Sequence, residues 1–355
     1  MIETPTLRNI WWVALWSQDL APGQLFARRI MDEPLVFYRD EDDRPVALTD
    51  RCAHRWAQLS LGTLLANGNV ACPYHGLEYD ASGVCVRNPH PNYKIPPAMR
   101  VTSYPLAEKH SAIWIWMGDA PADETLIPDF SLLDADAPDP VSKRDYLLMS
   151  ASWDLVTDNL LDLSHTAFLH NGVLGNEGTI DADTIVEHHG SRVTIRREYK
   201  DIPVPRFFDV LLFGDARPVD GFNYLSWYAP ACMINDTGMM PPGTTRDSGT
   251  GIRGCHFLTP ETATTSHYHF AASRWNVIPR TDAENAVLMS EIAEIRRVAF
   301  KEQDEVVIAS QQRRVIEACK ENLRPVLIGV DAGVERVHKV LREMALAEQP
   351  GPVSV

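Results

Sequence analysis

Two short stretches carry the residues best suited to metal chemistry: Cys52-Ala53-His54 and, beyond residues 55–71, Cys72-Pro73-Tyr74-His75. Each pairs one soft thiolate with one imidazole. Zinc fingers ordinarily keep the two cysteines together and the two histidines together. The mixed spacing, C-x-H followed by C-x-x-H, instead suits a two-iron, two-sulfide centre, with one iron on the cysteines and the other on the histidines. Replacing two thiolates by imidazoles removes negative charge from such a cluster and raises its reduction potential. Pro73 and Gly76 are what a tight loop needs if backbone amides are to come close to the sulfurs. A tetrahedral zinc knuckle is the plainer alternative; it would contain zinc and lack a brown colour.

The second chemical stretch runs from Trp153 to His170. Its pattern predicts a helix over 153–169, which sets Asp158, Asp162 and His165 at i, i+4 and i+7 on one face. Burying acids and a histidine together is costly unless they meet a metal or each other. His170 would lie about 140° around an ideal helix from His165. The two can reach one metal only if the helix ends or bulges between them, and Asn171-Gly172 marks an end. Two histidines and one carboxylate make the facial triad of non-haem ferrous iron, with positions left open for dioxygen and substrate. The carboxylate must come from elsewhere; Glu302, Asp304 and Glu305 are candidates. Taken alone, the histidines read equally well as capping or core residues. An electron-storing cluster in the same chain changes that, because a ferrous oxygenase needs electrons delivered one at a time.

The elements that must position these groups fall into an α+β organisation. Short strands and turns dominate 1–120: a strand at Leu35–Tyr38, its return at Pro45–Leu48, a hairpin around Ser82-Gly83 and a strand at Ile113–Trp116. These predict an antiparallel β domain that offers the cluster residues from two loops. Residues 121–145, with Pro121, Pro128, Pro138 and Pro140 among many Asp, read as a linker. Within 146–355, strands are expected around Arg192–Tyr199, Tyr224–Ala229, Gly254–Thr259 and His267–Ala272. A mobile loop is expected over 236–251 and a long helical stretch over 282–320, with Leu288, Ile292, Ile295 and Ala299 spaced four, three and four apart. A curved antiparallel sheet gripping that helix leaves a cavity between the layers for a small ligand.

With 355 residues, 45% apolar and 23% charged, the chain is long enough for two cores. Its net charge of −15 argues against nucleic acid and leaves open a basic surface on an electron-donor protein. Cys85, Cys232, Cys255 and Cys319 show no disulfide spacing, which suggests a reducing cytoplasm. Met1-Ile2-Glu3-Thr4-Pro5 reads as no signal peptide, and the apolar run Ile10–Trp16 is too short to span a membrane.

Over nearly its whole length the sequence resembles the oxygenase components of Rieske non-haem iron oxygenases, in the monooxygenase branch that includes dicamba O-demethylase and vanillate O-demethylase. The resemblance is carried by residues 72–80, Asn88-Pro89-His90, Ile113-Trp114-Ile115-Trp116, residues 158–165 and Thr259-Pro260-Glu261-Thr262. It implies a [2Fe-2S] Rieske cluster on Cys52, His54, Cys72 and His75, and a mononuclear Fe(II) on His165, His170 and Asp304. Asp304 with Val306-Val307 and Gln311 keeps the family spacing, although Lys301-Glu302-Gln303-Asp304 departs from the usual Glu-Asp ending. It implies that Asp162 bridges an iron-ligating histidine, His165, to a cluster histidine, His75, of a neighbouring subunit, in a homotrimer. Asn159 falls close to the iron. Asn235 and His256 fall where a substrate carboxylate is held, and Ile295 falls where the dicamba enzyme has a tryptophan, so the pocket should differ in shape and polarity. The implied reaction uses dioxygen and electrons from a flavin reductase, directly or through a ferredoxin, with NAD(P)H acting only through that partner. The implied substrate is a small aromatic acid, O-demethylated to a phenol and formaldehyde. Aryl-methyl or ring hydroxylation and N-demethylation are alternatives at the same iron. A Rieske electron carrier fused to a ligand-binding domain is the non-enzyme alternative; it would hold two irons per chain rather than three.

Overall fold

The computed structural model describes residues 7–348 apart from Tyr93 and Phe213; Met1-Ile2-Glu3-Thr4-Pro5 lies outside the described residues. The chain forms two compact units. One comprises Arg8–Asp129 with Thr259–Ala263; the other comprises Phe130–Leu258 and the chain from Thr264 onward.

The first unit is built of small antiparallel sheets. Trp11–Trp16 pairs with Ala112–Trp116, which also pairs with Leu106–Lys109. The strands Trp11–Trp16 and Ala112–Trp116 are buried along their whole length, on both faces. This explains why their sequences are continuous apolar runs rather than polar–apolar alternations. Phe26–Ile30, Glu33–Arg39, Pro45–Thr49 and Ser103–Tyr104 make a second sheet, as the Leu35–Tyr38 and Pro45–Leu48 reading anticipates. A third, of Thr63–Leu64, Val70–Ala71, Glu78–Tyr79 and Cys85–Arg87, carries the second Cys/His pair. Its hairpin turn is fixed by the Asp80 carboxylate, which accepts from Ser82 N, Ser82 Oγ and Val84 N.

The second unit holds a seven-stranded antiparallel sheet. Its order is Asp145–Met149, Ser266–Trp275, Thr250–Pro260, Cys232–Met240, Val219–Tyr228, Arg192–Ile202 and Ile185–His189. Cys232–Met240 occupies a middle position, and the loop expected over 236–251 shrinks to the segment between Met240 and Thr250. Asn235-Asp236 and Gly238 look like turn residues in sequence, but strands on both sides supply their backbone partners.

Among the described residues this unit has five α-helices. They are α1 (Trp153–Leu161), α2 (Arg206–Leu211), α3 (Asp282–Arg297), α4 (Glu305–Lys320) and α5 (Ala332–Glu348). α3 starts at a capping box in which Thr281 and Glu284 satisfy each other's backbone N–H groups. Leu288, Ile292 and Ile295 bury their side chains with Tyr199, Val219 and Met239 of the sheet. Between α3 and α4 the helix opens into a π turn over Val298–Asp304. α5 is tied to α1 by the His338–Asp158 pair, 2.7 Å apart. Among the described residues no helix is long and apolar enough to cross a membrane.

α1 is shorter than its sequence pattern predicts. It stops at Leu161, and Asp162 is extended. The Asp162 carboxylate accepts from Ser164 N (2.8 Å) and Ser164 Oγ (2.5 Å), a local bond that competes with the next helical turn. Asp158, Asp162 and His165 therefore do not share one helix face.

Candidate metal centres

The two Cys/His loops are the same turn built twice. Cys52 N donates to Ala57 O and Trp56 N to Cys52 O; Cys72 N donates to Leu77 O and Gly76 N to Cys72 O. Each turn needs a left-handed residue four places after its cysteine. Gly76 supplies it at φ +67° and Trp56 at φ +60°. Glycine fits that conformation without strain; tryptophan does not.

Cys52 and Cys72 are buried free thiols, whereas His54 is exposed and His75 half-buried. The His54 and His75 rings stand 4.6 Å apart, centroid to centroid. Burial raises Cys72 above the ordinary thiol range; the amides of Tyr74 and His75 oppose this, and Cys52 beside it adds to it. His75 is held below the ordinary imidazole value, by desolvation first and then by His54, Arg55 and His90. A lowered imidazole pKa leaves a ring nitrogen of His75 unprotonated and able to bind a metal. Tyr79, to which the sequence reading gave no role, places its hydroxyl 3.2 Å from Cys52 Sγ and accepts from Ala53 N.

The second centre converges from distant parts of the chain. His165 opens a 3-10 turn after α1, and His170 lies beyond it. Their ligand atoms and that of Asp304 lie within 4.8 Å of one another. His170 Nε2 is 3.1 Å from Asp304 Oδ1, and His165 Nε2 is 3.7 Å from it. Two ligands at right angles and about 2.1 Å from a metal stand roughly 3 Å apart, so the set fits an ion with little movement.

The surrounding contacts orient the rings. His170 Nδ1 meets Gln303 Oε1 at 2.8 Å, and His165 Nδ1 faces the backbone carbonyl of Asp162. The contact between Asp162 and His165 is thus made by the carbonyl, while the carboxylate bonds Ser164. Asn159 Nδ2 reaches Asp304 Oδ1 at 3.4 Å. Buried Arg197 donates to the carbonyls of Leu163, Thr179, Ile180 and Ala182, fixing the segment just before His165. Burial lowers the His165 pKa. For His170, burial also acts downward, but the Asp304 carboxylate and Gln303 outweigh it and the net shift is upward. A proton is held there where a cation is favoured.

Asp304 is 3% exposed, whereas Glu302 and Glu305 are not buried. Glu302 instead pairs with Arg297, and Glu305 with Lys301. Of the three candidate carboxylates, only Asp304 joins the histidines.

The triad opens on a cavity with about 1160 Å³ of unfilled space, mouth included. Asn235, His256 and Ile295 all line it. Thr237 Oγ1 lies 3.2 Å from both Asn223 Oδ1 and Asn235 Oδ1, forming a polar row on the sheet. His256 Nδ1 is 2.7 Å from Tyr268 OH. Burial, with Arg296 second, lowers the His256 pKa to about 3, so the ring is neutral. When the phenol donates to Nδ1, the proton sits on Nε2. That edge lies over Gly254, where an added Cβ would stand 2.9 Å from Nε2. Tyr268 and Gln303 had no recognisable signal in the sequence; both act through residues far from them in the chain.

A fold pairing a small β unit bearing a mixed Cys/His double turn with a sheet-and-helix unit bearing a buried His/His/Asp triad defines a class, the Rieske-type non-haem iron oxygenases. Comparison with known proteins agrees. Residues 10–105 match the Rieske [2Fe-2S] domain, and residues 149–347 match the vanillate O-demethylase oxygenase C-terminal domain. The chain belongs to this vanillate O-demethylase family of oxygenase components.

The chain is 34% identical to the oxygenase component of dicamba O-demethylase from Stenotrophomonas maltophilia, over 96% of this chain and 98% of that one. It is 32% identical to the toluene-4-sulfonate monooxygenase iron-sulfur subunit TsaM1 of Comamonas testosteroni, over 97% and 99%. A crystal structure of dicamba monooxygenase with non-haem iron and dicamba superposes with a TM-score of 0.79 at 33% identity, covering 96% and 98%. The protein is therefore the oxygenase component of a multicomponent monooxygenase. It uses a [2Fe-2S] cluster, non-haem iron and dioxygen, and depends on a separate redox partner.

Proposed function

We propose that this oxygenase O-demethylates a small aromatic acid, with its cluster on Cys52, His54, Cys72 and His75 and its catalytic iron on His165, His170 and Asp304. The observation that carries this reading is the convergence of the buried triad on one largely apolar cavity that also presents Asn235 and His256. When bound, the iron supplies activation of dioxygen by electrons relayed from the cluster. The chain's own residues do the rest. Asn235 and the neutral Nε2–H of His256 donate hydrogen bonds to the substrate's polar end. Ile295 shapes the wall, and the apolar lining excludes water. Asn159 steadies Asp304. Oxidation of an O-methyl group yields a hemiacetal, which separates into phenol and formaldehyde without an acid or nucleophile from the protein.

The family likeness supports a homotrimer in which Asp162 bridges the His165 segment of one subunit to His75 of the next. The half-buried Asp162 carboxylate, beside the His165 turn, is compatible with that task. Electrons come from a flavin reductase, directly or through a ferredoxin, and the unpaired cysteines suit a cytoplasmic setting. Asp162→Asn is expected to retain three irons per chain and lose nearly all turnover; undiminished turnover would remove the bridge.

A second reading, aryl-methyl hydroxylation, is favoured by the 32% identity to the toluene-4-sulfonate enzyme subunit. One assay separates the two. The iron-loaded protein, driven by a flavin reductase and ferredoxin, is given methoxybenzoates and 4-methylbenzenesulfonate. Formaldehyde formed in step with a phenol supports the first reading. A benzylic alcohol without formaldehyde supports the second, and absence of both products defeats them.

A further inference from the structure

Arg274 lies on the strand Ser266–Trp275 and lines the cavity together with Phe270 and Ala272, which share its face of the strand. It is 7% exposed. Its Nε and Nη2 have no hydrogen-bond partner, and its Nη1 meets only the Met289 sulfur, at 3.9 Å. Among the described residues no carboxylate lies within 4.0 Å of it. Other arginines packed into this unit are differently placed. Arg197 is spent on four backbone carbonyls, Arg280 on the three carbonyls of Val210, Leu211 and Leu212, and Arg296 on Asp145 and Ser142. A buried guanidinium without an anion is costly, and a native fold seldom leaves one so. Burial, and then the neighbouring Arg280, already act against its charge.

We propose that Arg274 is an anion-binding residue of the cavity and takes the carboxylate or sulfonate of the substrate. Its planar fork matches either oxyanion in bidentate fashion. Its position also sets where the anion sits. Arg274 touches Met289 on α3, whereas Asp304 closes the π turn that follows α3, so the two enter the cavity from different stretches of that helix. The anion is therefore held beside Met289 rather than at Asp304, leaving the other end of the molecule to face the triad. Asn235 and His256 then donate to the substrate's polar groups without carrying its charge alone. The inference rests on the cavity being the substrate site, as proposed above, and does not depend on which C–H bond is oxidised.

The test is calorimetric binding to the full-length, iron-loaded protein. The probes are 4-methoxybenzoate, 4-methylbenzenesulfonate and the uncharged 4-methoxybenzamide. In Arg274→Gln, affinity for at least one anion is expected to fall 30-fold or more while the amide changes less than threefold. The anion that loses more identifies carboxylate or sulfonate as the preferred group. Equal loss for all three probes, or no loss for either anion, overturns the proposal. Should Arg274→Gln fail to fold, Arg274→Lys keeps the charge but not the fork; a three- to tenfold loss confined to the anions supports the assignment, and any other pattern overturns it. Formaldehyde release is measured separately on the wild-type protein. Turnover with Arg274-independent binding removes this inference alone, and Arg274-dependent binding without turnover removes the demethylase reading alone. Failure of the wild type to bind any probe defeats both.

Discussion

The two proposed metal centres are built in opposite ways. The proposed cluster residues all fall between positions 52 and 75, in two turns with the same hydrogen bonds. Each turn is a local object: a cysteine whose N–H and C=O close a loop, a left-handed residue, and a histidine carried between them. The triad proposed to hold the iron draws on residues 165, 170 and 304, and its geometry depends on a helix that stops early and another that bulges. A local centre can be written in a short motif. A distributed one cannot, because each ligand is aimed by packing against residues the motif does not contain.

The sharpest break of this comparison removes one ligand from each centre. His170→Ala should leave two irons per chain with the cluster spectrum unchanged and reduce turnover more than 100-fold. Cys72→Ser should abolish the cluster while the triad still takes up one iron. Iron analysis with electron paramagnetic resonance checks both; mutual loss would mean the centres are not independent in folding.

Next in size is the support of the triad. Gln303→Leu leaves every proposed ligand in place but removes the partner of His170 Nδ1. A loss of roughly 10–100-fold in ferrous affinity is expected, with the cluster untouched. The same ring sets a pH dependence. The pKa of His170 is raised above 6.5, and its Nε2 faces Asp304. Protons compete with metal below that raised pKa, so ferrous affinity should be flat above it and fall about tenfold per pH unit below it. Metal titrations between pH 5.5 and 8 test the sign; affinity that rises as pH drops would contradict it.

The paired turns allow a smaller, symmetric experiment. Gly76→Ala forces a Cβ to 3.1 Å from Pro89 Cγ at φ +67° and should cost about 1–2 kcal/mol. Trp56→Gly relieves the same backbone conformation and should stabilise by up to about 1 kcal/mol. Trp56 is 76% exposed, so little packing is lost with its side chain in the isolated chain. Denaturation followed by bleaching of the cluster reads both, and the opposite sign in either would show that the turns are not equivalent.

The smallest effect concerns tuning. Tyr79→Phe removes a hydroxyl 3.2 Å from Cys52 Sγ. A hydrogen bond to the sulfur favours the more negative, reduced cluster. The potential should fall on the order of 40 mV, equivalent to about 1 kcal/mol of differential bonding. Redox titration measures it.

The sequence by itself determined the two Cys/His loops, the apolar strands of the same unit and the longer strands of the large sheet. In each case the deciding forces act between neighbours in the chain or follow from a short period of polarity. It did not disclose the strand Cys232–Met240, whose polar residues face a cavity rather than water. Nor did it show the end of α1, where two hydrogen bonds from Ser164 to the Asp162 carboxylate outcompete a regular helical pattern.

Asp304 marks the boundary most clearly. Counting at 100° per residue from Ile295, an unbroken α-helix would turn Asp304 about 180° away and bring Glu302 onto the buried face. The π turn over Val298–Asp304, with about 4.4 residues per turn, rotates the chain back. Asp304 then meets His165 and His170, and Glu302 pairs with Arg297 at the surface. Sequence placed three acids on that stretch. Only the tertiary packing of the helix, through one widened turn, decided which of them faces the iron site.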